Sequence, residues 1–347
     1  MSSSGLPALV NSELELEELL SRPSPGLVEF VRELRSPLVI LGGSGKMGPS
    51  LAFLARRAAD EARHPLRIVA VSRYTNAGAR EKLERRGIET ISADLLDPAS
   101  YPALPDSDNV IYLVGMKFGT SDQPYLTWAT NVIGPWNACQ RYAGARIAAL
   151  SSGNVYSMAS VRGSGSAEGD PLTPMGEYPN SAVGRERIFE YCATKLGARI
   201  SQVRLFYAVD LRYGVLSDIA QKVWAGVPVD VTNGFFNCIW QGDANELTIR
   251  ALGKASSPPF TFNMTSVGWY SVRNVALEFG ELMGKAVSLV GTEADTALVA
   301  NTDRMRENFG VPPTPHESVM RWIAHWVKSG LPTWNKPTHF EVRNGAY

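Results

Sequence analysis

Short apolar runs separated by longer amphipathic stretches set the pattern of the chain from Val39 onward. The runs are Val39-Ile40-Leu41, Arg67-Ile68-Val69-Ala70-Val71, Ile88 to Ile91, Asn109 to Val114, Arg146 to Leu150 and Arg199 to Phe206. Between them, residues 49–62, 77–86, 125–143 and 180–196 carry helical patterning. Apolar runs too short for helices predict strands buried on both faces, and helical crossovers predict that they pair in parallel. The expected fold class is therefore α/β, a doubly wound parallel sheet of Rossmann type. Residues 1–37 read as a helical extension, with helices over Glu13 to Leu20 and Pro25 to Leu34.

Past Phe206 the alternation loosens into shorter elements: Leu216 to Val223, Asn237 to Trp240, Ala244 to Ala251 and Phe260 to Asn263. The expected organisation is a dinucleotide-binding domain over 38–206, a smaller mixed and mainly substrate-binding region over 207–330 with strands returning to the sheet, and a tail over 331–347. In open α/β sheets the ligand crevice lies at the carboxyl ends of the strands, which is where this second region would pack. After the last helix, His316 to Lys328, the chain reads as a surface tail, with Lys336-Pro337-Thr338-His339-Phe340 as a segment able to cover a site or a partner surface.

Composition narrows the function classes. The 347 residues hold 34 basic and 34 acidic side chains, so no basic excess points to nucleic acid. No run approaches the ~18 apolar residues of a membrane span, and the start MSSSGLPALVNSELELEELL turns acidic where a secretory signal would be basic and apolar. The expectation is a cytoplasmic protein. Cys139, Cys192 and Cys238 lack metal-ligand spacing, and His64, His316, His325 and His339 do not cluster with them, so no metal site is expected.

The stretch Val39 to Ser50 carries the clearest chemistry. A short strand turns through Gly42, Gly45 and Gly48 into a helix beginning near Pro49. Glycines fit where the turn needs angles closed to a Cβ and where backbone must approach a diphosphate, and the helix N-terminus offers unpaired N–H groups to the anion. With strand and helix on either side, the glycine trio reads as a dinucleotide site.

Further segments carry a resemblance. Gly42-Gly43-Ser44-Gly45-Lys46-Met47-Gly48, Ala93-Asp94-Leu95, Gly115-Met116-Lys117 after the strand ending at Val114, Asn131-Val132-Ile133-Gly134 and Ser151-Ser152-Gly153-Asn154-Val155-Tyr156 occur in the order expected of one family. Over roughly residues 38–330 the chain resembles the extended short-chain dehydrogenase/reductases, the NAD(P)-dependent sugar epimerases and dehydratases. The resemblance implies that the glycine motif holds the diphosphate, that Asp94 and Leu95 lie beside adenine, and that Val114, Gly115 and Lys117 lie beside the nicotinamide. It also implies a sugar-like substrate and a homodimer formed through the helices over 125–143 and 180–196. At the end of the second strand, where a carboxylate would select NAD, stand Ser72 and Arg73; a guanidinium suits a 2′-phosphate, which favours NADP over NAD.

The family's chemistry uses a serine and a Tyr-x-x-x-Lys pair on one helix face. Tyr191 and Lys195 fit the bare pattern, but only Leu196, Gly197 and Ala198 separate Lys195 from the next strand, so Tyr191 lies at the wrong end of its helix. Tyr178 has the right place, with Glu186 and Arg204 following as the family pattern suggests, yet its lysine position is Ala182. A free tyrosine has a pKa of about 10. A cation ~4 Å away at an effective dielectric of ~20 favours the phenolate by about 4 kcal/mol, so the loss is chemically large. Arg185, two turns after Tyr178, and Lys117 are candidates to compensate. Ser152 corresponds to the substrate-orienting serine, and Asn131 to the asparagine that holds a water or a bend in the central helix. Tyr207 stands where nucleotide-sugar enzymes often have asparagine, and Arg212, Tyr213, Asn237, Trp240 and Gln241 are candidate sugar contacts. The expected activity is an NAD(P)-dependent epimerase, dehydratase or reductase acting on a sugar-derived hydroxyl or carbonyl, with Tyr178 as proton carrier or, kept neutral by Ala182, as general acid. The alternative is an NADP(H)-binding protein without turnover.

Overall fold

The computed structural model describes residues 5–117, 119 and 122–345. The first four residues of the expected extension and the last two of the tail lie outside that set. Seven strands form one parallel sheet: β1 (Leu38–Leu41), β2 (Ile68–Ser72), β3 (Glu89–Ser92), β4 (Asn109–Tyr112), β5 (Arg146–Ser152), β6 (Arg199–Leu205) and β7 (Phe260–Met264). Their order is β7-β6-β5-β4-β1-β2-β3, so the chain reverses direction across the sheet between β1 and β4. The β7 strand is the Phe260 run, which leaves the mixed region to pair with β6.

Two strands differ from expectation. Glu89, Thr90, Ile91 and Ser92 of β3 remain partly open because the strand is the sheet's edge and has no neighbour beyond it. The β4 strand ends at Tyr112 rather than Val114. Leu113 still donates to the Leu41 carbonyl, but Val114 then passes beside Gly42 and leaves the ladder.

Each face of the sheet has its own apolar layer. On one face Leu27, Leu51 and Ile249, from the helices Pro25–Arg32, Gly48–Glu61 and Gln241–Arg250, gather with Ile40 and Ile111. On the other, Cys139, Phe189 and Cys192 join Val39, Val110 and Tyr112. The helix expected over 125–143 is divided into Pro124–Trp128, a π-helical turn Ala129–Ile133 and Gly134–Arg141. Such turns recur where a helix must present a side chain out of its normal phase. Here Asn131 accepts from the Met116 amide and donates to the Met116 carbonyl, tying the helix to the segment after β4.

The elements after β6 build a third cluster around Phe279, Trp322 and Trp326, joined by Leu16 and Leu20 from the helix Glu13–Leu20. The tail is part of it, which corrects the reading of a plain surface segment. Phe340 is only 1% exposed, Thr338 donates through its amide and hydroxyl to Asp218 Oδ2, and Arg343 donates to Asn233 Oδ1 and the Thr296 carbonyl. An aromatic anchor and buried polar contacts fasten the strap. No helix among the described residues is long and apolar enough to cross a membrane.

The glycine turn is packed backbone to backbone. A Cβ on Gly48 would lie 2.4 Å from the Gly43 carbonyl oxygen, and its next nearest atoms are also backbone, so no side chain can yield. Gly48→Ala is therefore expected to destabilise the protein by ~1–3 kcal/mol. The check is urea unfolding: the midpoint falls while the slope stays constant.

Candidate functional site

The carboxyl ends of β1, β2 and β4 open into a cleft lined by Gly42, Ser44, Gly45, Ser72, Arg73, Ala93, Asp94, Leu95, Val114, Gly115 and Met116. Gly42 has φ +94°, and a Cβ there would meet Leu113 and Val114 backbone at 3.1 Å. Gly43 lies against β2, where a Cβ would come within 2.7 Å of Ala70 Cβ. Both positions thus require glycine for space, and Gly42 also for its backbone angle. No side chain caps the helix Gly48–Glu61, so its N-terminus is left to whatever binds the turn. The Ser44 and Ser72 hydroxyls bond one another across the floor, Arg73 is exposed at the rim, and Asp94 Oδ1 accepts from the Leu96 amide.

A second cavity adjoins the first, and Leu113 and Gly115 line both. Its other walls include Lys46, Met47, Lys117, Ser151, Ser152, Asn154, Tyr178, Arg185, Phe206, Tyr207, Tyr213 and Thr338. Two residues expected at the cofactor, Lys46 and Lys117, thus have their side chains in the cavity with Tyr178. Tyr178 stands in the first turn of the helix Glu177–Leu196, and the tail crosses its start, since a Cβ on Gly176 would strike the Gly345 carbonyl. Ser152 donates to Asn154 Oδ1 and accepts from the Asn154 amide, so it caps the short turn Gly153–Val155 while facing the cavity.

Ala182 is fully buried in an apolar cluster with Val155, Tyr156, Phe206, Leu298 and Ala300. Cations enter the cavity from Arg185, on the same helix, and from Lys46 and Lys117 on other segments. Arg185, 4% exposed, donates through one terminal nitrogen to the Leu150 carbonyl at 3.0 Å and through the other to Asn131 Oδ1. Its guanidinium lies over Gly115, where a Cβ would clash with it. Asn131 also donates to Ser181 Oγ, so it stands behind the cavity and holds Arg185 and the Met116 backbone together. Lys46 Nζ donates to the Ala208 carbonyl at 2.6 Å and sits 4.1 Å from the Tyr213 ring centre. Burial lowers its pKa to about 7, against the pull of Asp210. Burial likewise lowers Lys117 to about 8.

Behind these walls runs a buried polar chain. Arg204 forks onto Glu186, the closest contact being 2.7 Å, with their side chains 5% and 0% exposed. Ser151 Oγ donates to the same carboxylate. Arg204 also donates to the Tyr156 hydroxyl, which donates to Asn263 Oδ1. Burial pushes the Tyr156 phenol up to about 12, with Arg204 opposing. Burial also disfavours the Arg204 charge, but bonding to Glu186 outweighs it and the guanidinium is held above its ordinary range.

The remaining sugar-contact candidates divide. Tyr207 and Tyr213 line the Tyr178 cavity, whereas Asn237 is buried between the Gly268 carbonyl and the Ala300 amide. Gln241 donates to Ser50, Arg212 pairs with Asp210, and Trp240 lines a separate cavity with His316. Phe206 is a cavity residue that sequence reasoning did not place there, while Thr338 comes from the tail segment read as able to cover a site.

No protein-family model and no curated protein sequence matches the chain. Solved structures do. The dTDP-glucose 4,6-dehydratase of Bacillus anthracis in complex with NAD superposes with a TM-score of 0.70 and 14% identity, covering 85% of this chain and 97% of its own. The UDP-Glc/GlcNAc 4-epimerase of Campylobacter jejuni does so at 0.68 with 18% identity, covering 85% and 100%. The UDP-glucuronic acid 4-epimerase of Bacillus cereus in complex with NAD reaches 0.69 with 16% identity, covering 84% and 99%.

Breaking the buried pair tests the frame of the site. Glu186→Gln leaves the Arg204 charge without its counterion and is expected to cost ~3–5 kcal/mol in a denaturant titration. The fold that this pair braces is shared with the solved dTDP-glucose 4,6-dehydratase and UDP-Glc/GlcNAc 4-epimerase structures.

Proposed function

We propose that the protein is an NADP-dependent oxidoreductase of the epimerase, dehydratase or reductase type, acting on a hydroxyl or carbonyl of a sugar-like compound. The observation that carries this reading is the junction of the two cavities at Leu113 and Gly115. A dinucleotide laid from Arg73 over the glycine turn would end beside Gly115, within the Tyr178 cavity. The site fits such a group, because Gly42 and Gly43 form a cradle that a Cβ would fill and the helix behind it is uncapped. When bound, the dinucleotide supplies hydride transfer at its nicotinamide.

The chain's own residues handle the proton and the orientation. Tyr178 exchanges the proton of the substrate hydroxyl, and Ser152, held by Asn154, orients the reacting oxygen. Arg185 is a positioning residue, fixing the Leu150 carbonyl and Asn131 beside the tyrosine. Arg73 at the rim is the group that would meet a 2′-phosphate. The complexes of the Bacillus anthracis and Bacillus cereus enzymes with NAD support a nicotinamide cofactor, and the sugar nucleotides named for these neighbours support a sugar-like substrate.

Burial of Ala182 in apolar packing favours one other reading, a protein that binds the dinucleotide without turnover. One set of measurements separates the two. NADP⁺ is expected to bind at least ~10-fold more tightly than NAD⁺, a difference of ~1.4 kcal/mol that Arg73→Ala abolishes. On a panel of sugars and sugar acids, Tyr178→Phe is expected to lower nicotinamide reduction ~10²–10⁴-fold with the NADP⁺ affinity unchanged. Tight binding with no reduction by any member of the panel would favour the non-catalytic protein.

A homodimer through the helices Pro124–Arg141 and Glu177–Leu196 is proposed as well. Tyr125, Ile133 and Tyr191 are 74%, 47% and 50% exposed there, and Trp136 packs its ring against Tyr191. Light scattering is expected to give twice the chain mass, and Tyr125→Glu with Tyr191→Glu to give the monomer.

A further inference from the structure

We propose that the tail, residues 331–345, is a fixed roof over the Tyr178 cavity and limits the substrate to a sugar of about monosaccharide size that carries no nucleotide. This deepens the proposed function and rests on it for the identity of the cavity as the substrate's.

The tail is tied to the cavity's walls at its start, middle and end. Near its start the Trp334 amide donates to the Arg212 carbonyl, and the Trp334 ring lies 5.7 Å from that of Tyr213, which lines the cavity. In the middle Thr338, itself a lining residue, donates twice to Asp218 on the helix Val215–Ala225, and Glu341 pairs with Lys222 one turn further along that helix. Phe340 is buried in the cluster of Trp322 and Trp326, and its carbonyl accepts from Asn233 at 2.6 Å. At the end, a Cβ on Gly345 would strike the Met175 carbonyl, so the two backbones meet just before the helix that carries Tyr178. The strap therefore runs from Tyr213 to the start of the Tyr178 helix. Withdrawing Phe340 would expose a large apolar side chain, which opposes opening.

Fixed in this way, the strap divides the space around it. On one side Thr338 closes a cavity of 210 Å³. On the other, Lys336, Pro337 and Glu341 line a separate depression with Asp218 and Lys222, and no lining residue is common to the two. Sites that bury drug-sized ligands span roughly 300–1,000 Å³. The inner cavity falls below that range, and a nicotinamide beside Gly115 would take part of it. What remains suits one sugar ring, with the flat faces of Tyr207 and Tyr213 at its side. A nucleoside diphosphate joined to that ring has no room beneath the strap.

The test is calorimetric titration, with and without NADP⁺, of D-galactose, D-glucose and D-glucuronate, each beside its UDP-linked form. The expected result is that at least one free sugar binds, and binds ~10-fold or more tightly than its UDP-linked form. Ending the chain at Gly330 removes the strap and is expected to erase that difference. Because this also removes Phe340, a second variant keeps the anchor. Thr338→Gly with Glu341→Ala cuts the ties to the helix Val215–Ala225 and is expected to narrow the difference at least ~3-fold. Far-UV circular dichroism reports that the variants are folded, and where the shortened chain does not fold the second variant decides. UDP-linked sugars that bind the native chain as tightly as the free sugars overturn the proposal. So does binding of no free sugar, or a difference that persists in full in the folded variants. If NADP⁺ itself does not bind, the cofactor reading fails, while the titrations without it still decide the size limit.

Discussion

The Glu186–Arg204 pair is the constraint to which the site's parts are referred. Two charges removed from water are tolerated only in close geometry with their remaining hydrogen-bonding capacity filled. Here Ser151, Tyr156 and the Glu168 carbonyl do the filling. The pair therefore joins the long helix to β6, while Ser151 joins it to β5. Moving the helix along the sheet would separate charges that have no other counter-ion among the described residues. Because Tyr178 lies two turns before Glu186 on that helix and Ser152 follows Ser151 on that strand, one ion pair sets the positions of both. Its net contribution to stability need not be large for this, since what it supplies is a single register.

On this frame the missing lysine has consequences that geometry makes concrete. An i,i+4 lysine would share a face with Tyr178, but Ala182 lies in packed apolar surroundings with Phe206 and Val155. Positive charge reaches the cavity by other routes, from Lys46, Lys117 and Arg185. These cations are not equivalent. A guanidinium does not lose its proton in a protein, so Arg185 contributes a fixed charge and a planar fork that binds Asn131 and Leu150. An ammonium is a point charge whose pKa yields to burial, as Lys46 does. The cavity therefore combines one permanent charge in its wall with two adjustable ones at its surface.

Much of this was legible in the sequence because its signals are local. Apolar runs and helical stretches gave the strand order's raw material, the three glycines gave the turn, and the helix spacing separated Tyr178 from Tyr191. What escaped depends on the third dimension. The polar character of β3 follows from its edge position, which no run of four residues declares. Thr338 reaches the cavity because Phe340, far along the chain, is anchored in a cluster of distant helices. Lys46 was assigned to the cofactor by its neighbours in the motif, yet its long side chain crosses to Ala208 at the other cavity. Asn237, Gln241 and Arg212 had suitable chemistry for a sugar but spend it on backbone, Ser50 and Asp210.

The cationic cavity is not a by-product of a basic chain. Basic and acidic residues are equal in number, and the surface holds many of them as close pairs. Against that balance, three cationic side chains in one cavity, with no carboxylate among its described lining residues, mark a local arrangement. Like charges sharing a half-buried space oppose one another, and burial weakens each further, so holding them there is unfavourable unless a negative charge answers. Within the protein Asp210 and Asp218 give part of that answer, each while held by a second partner, Arg212 and Thr338.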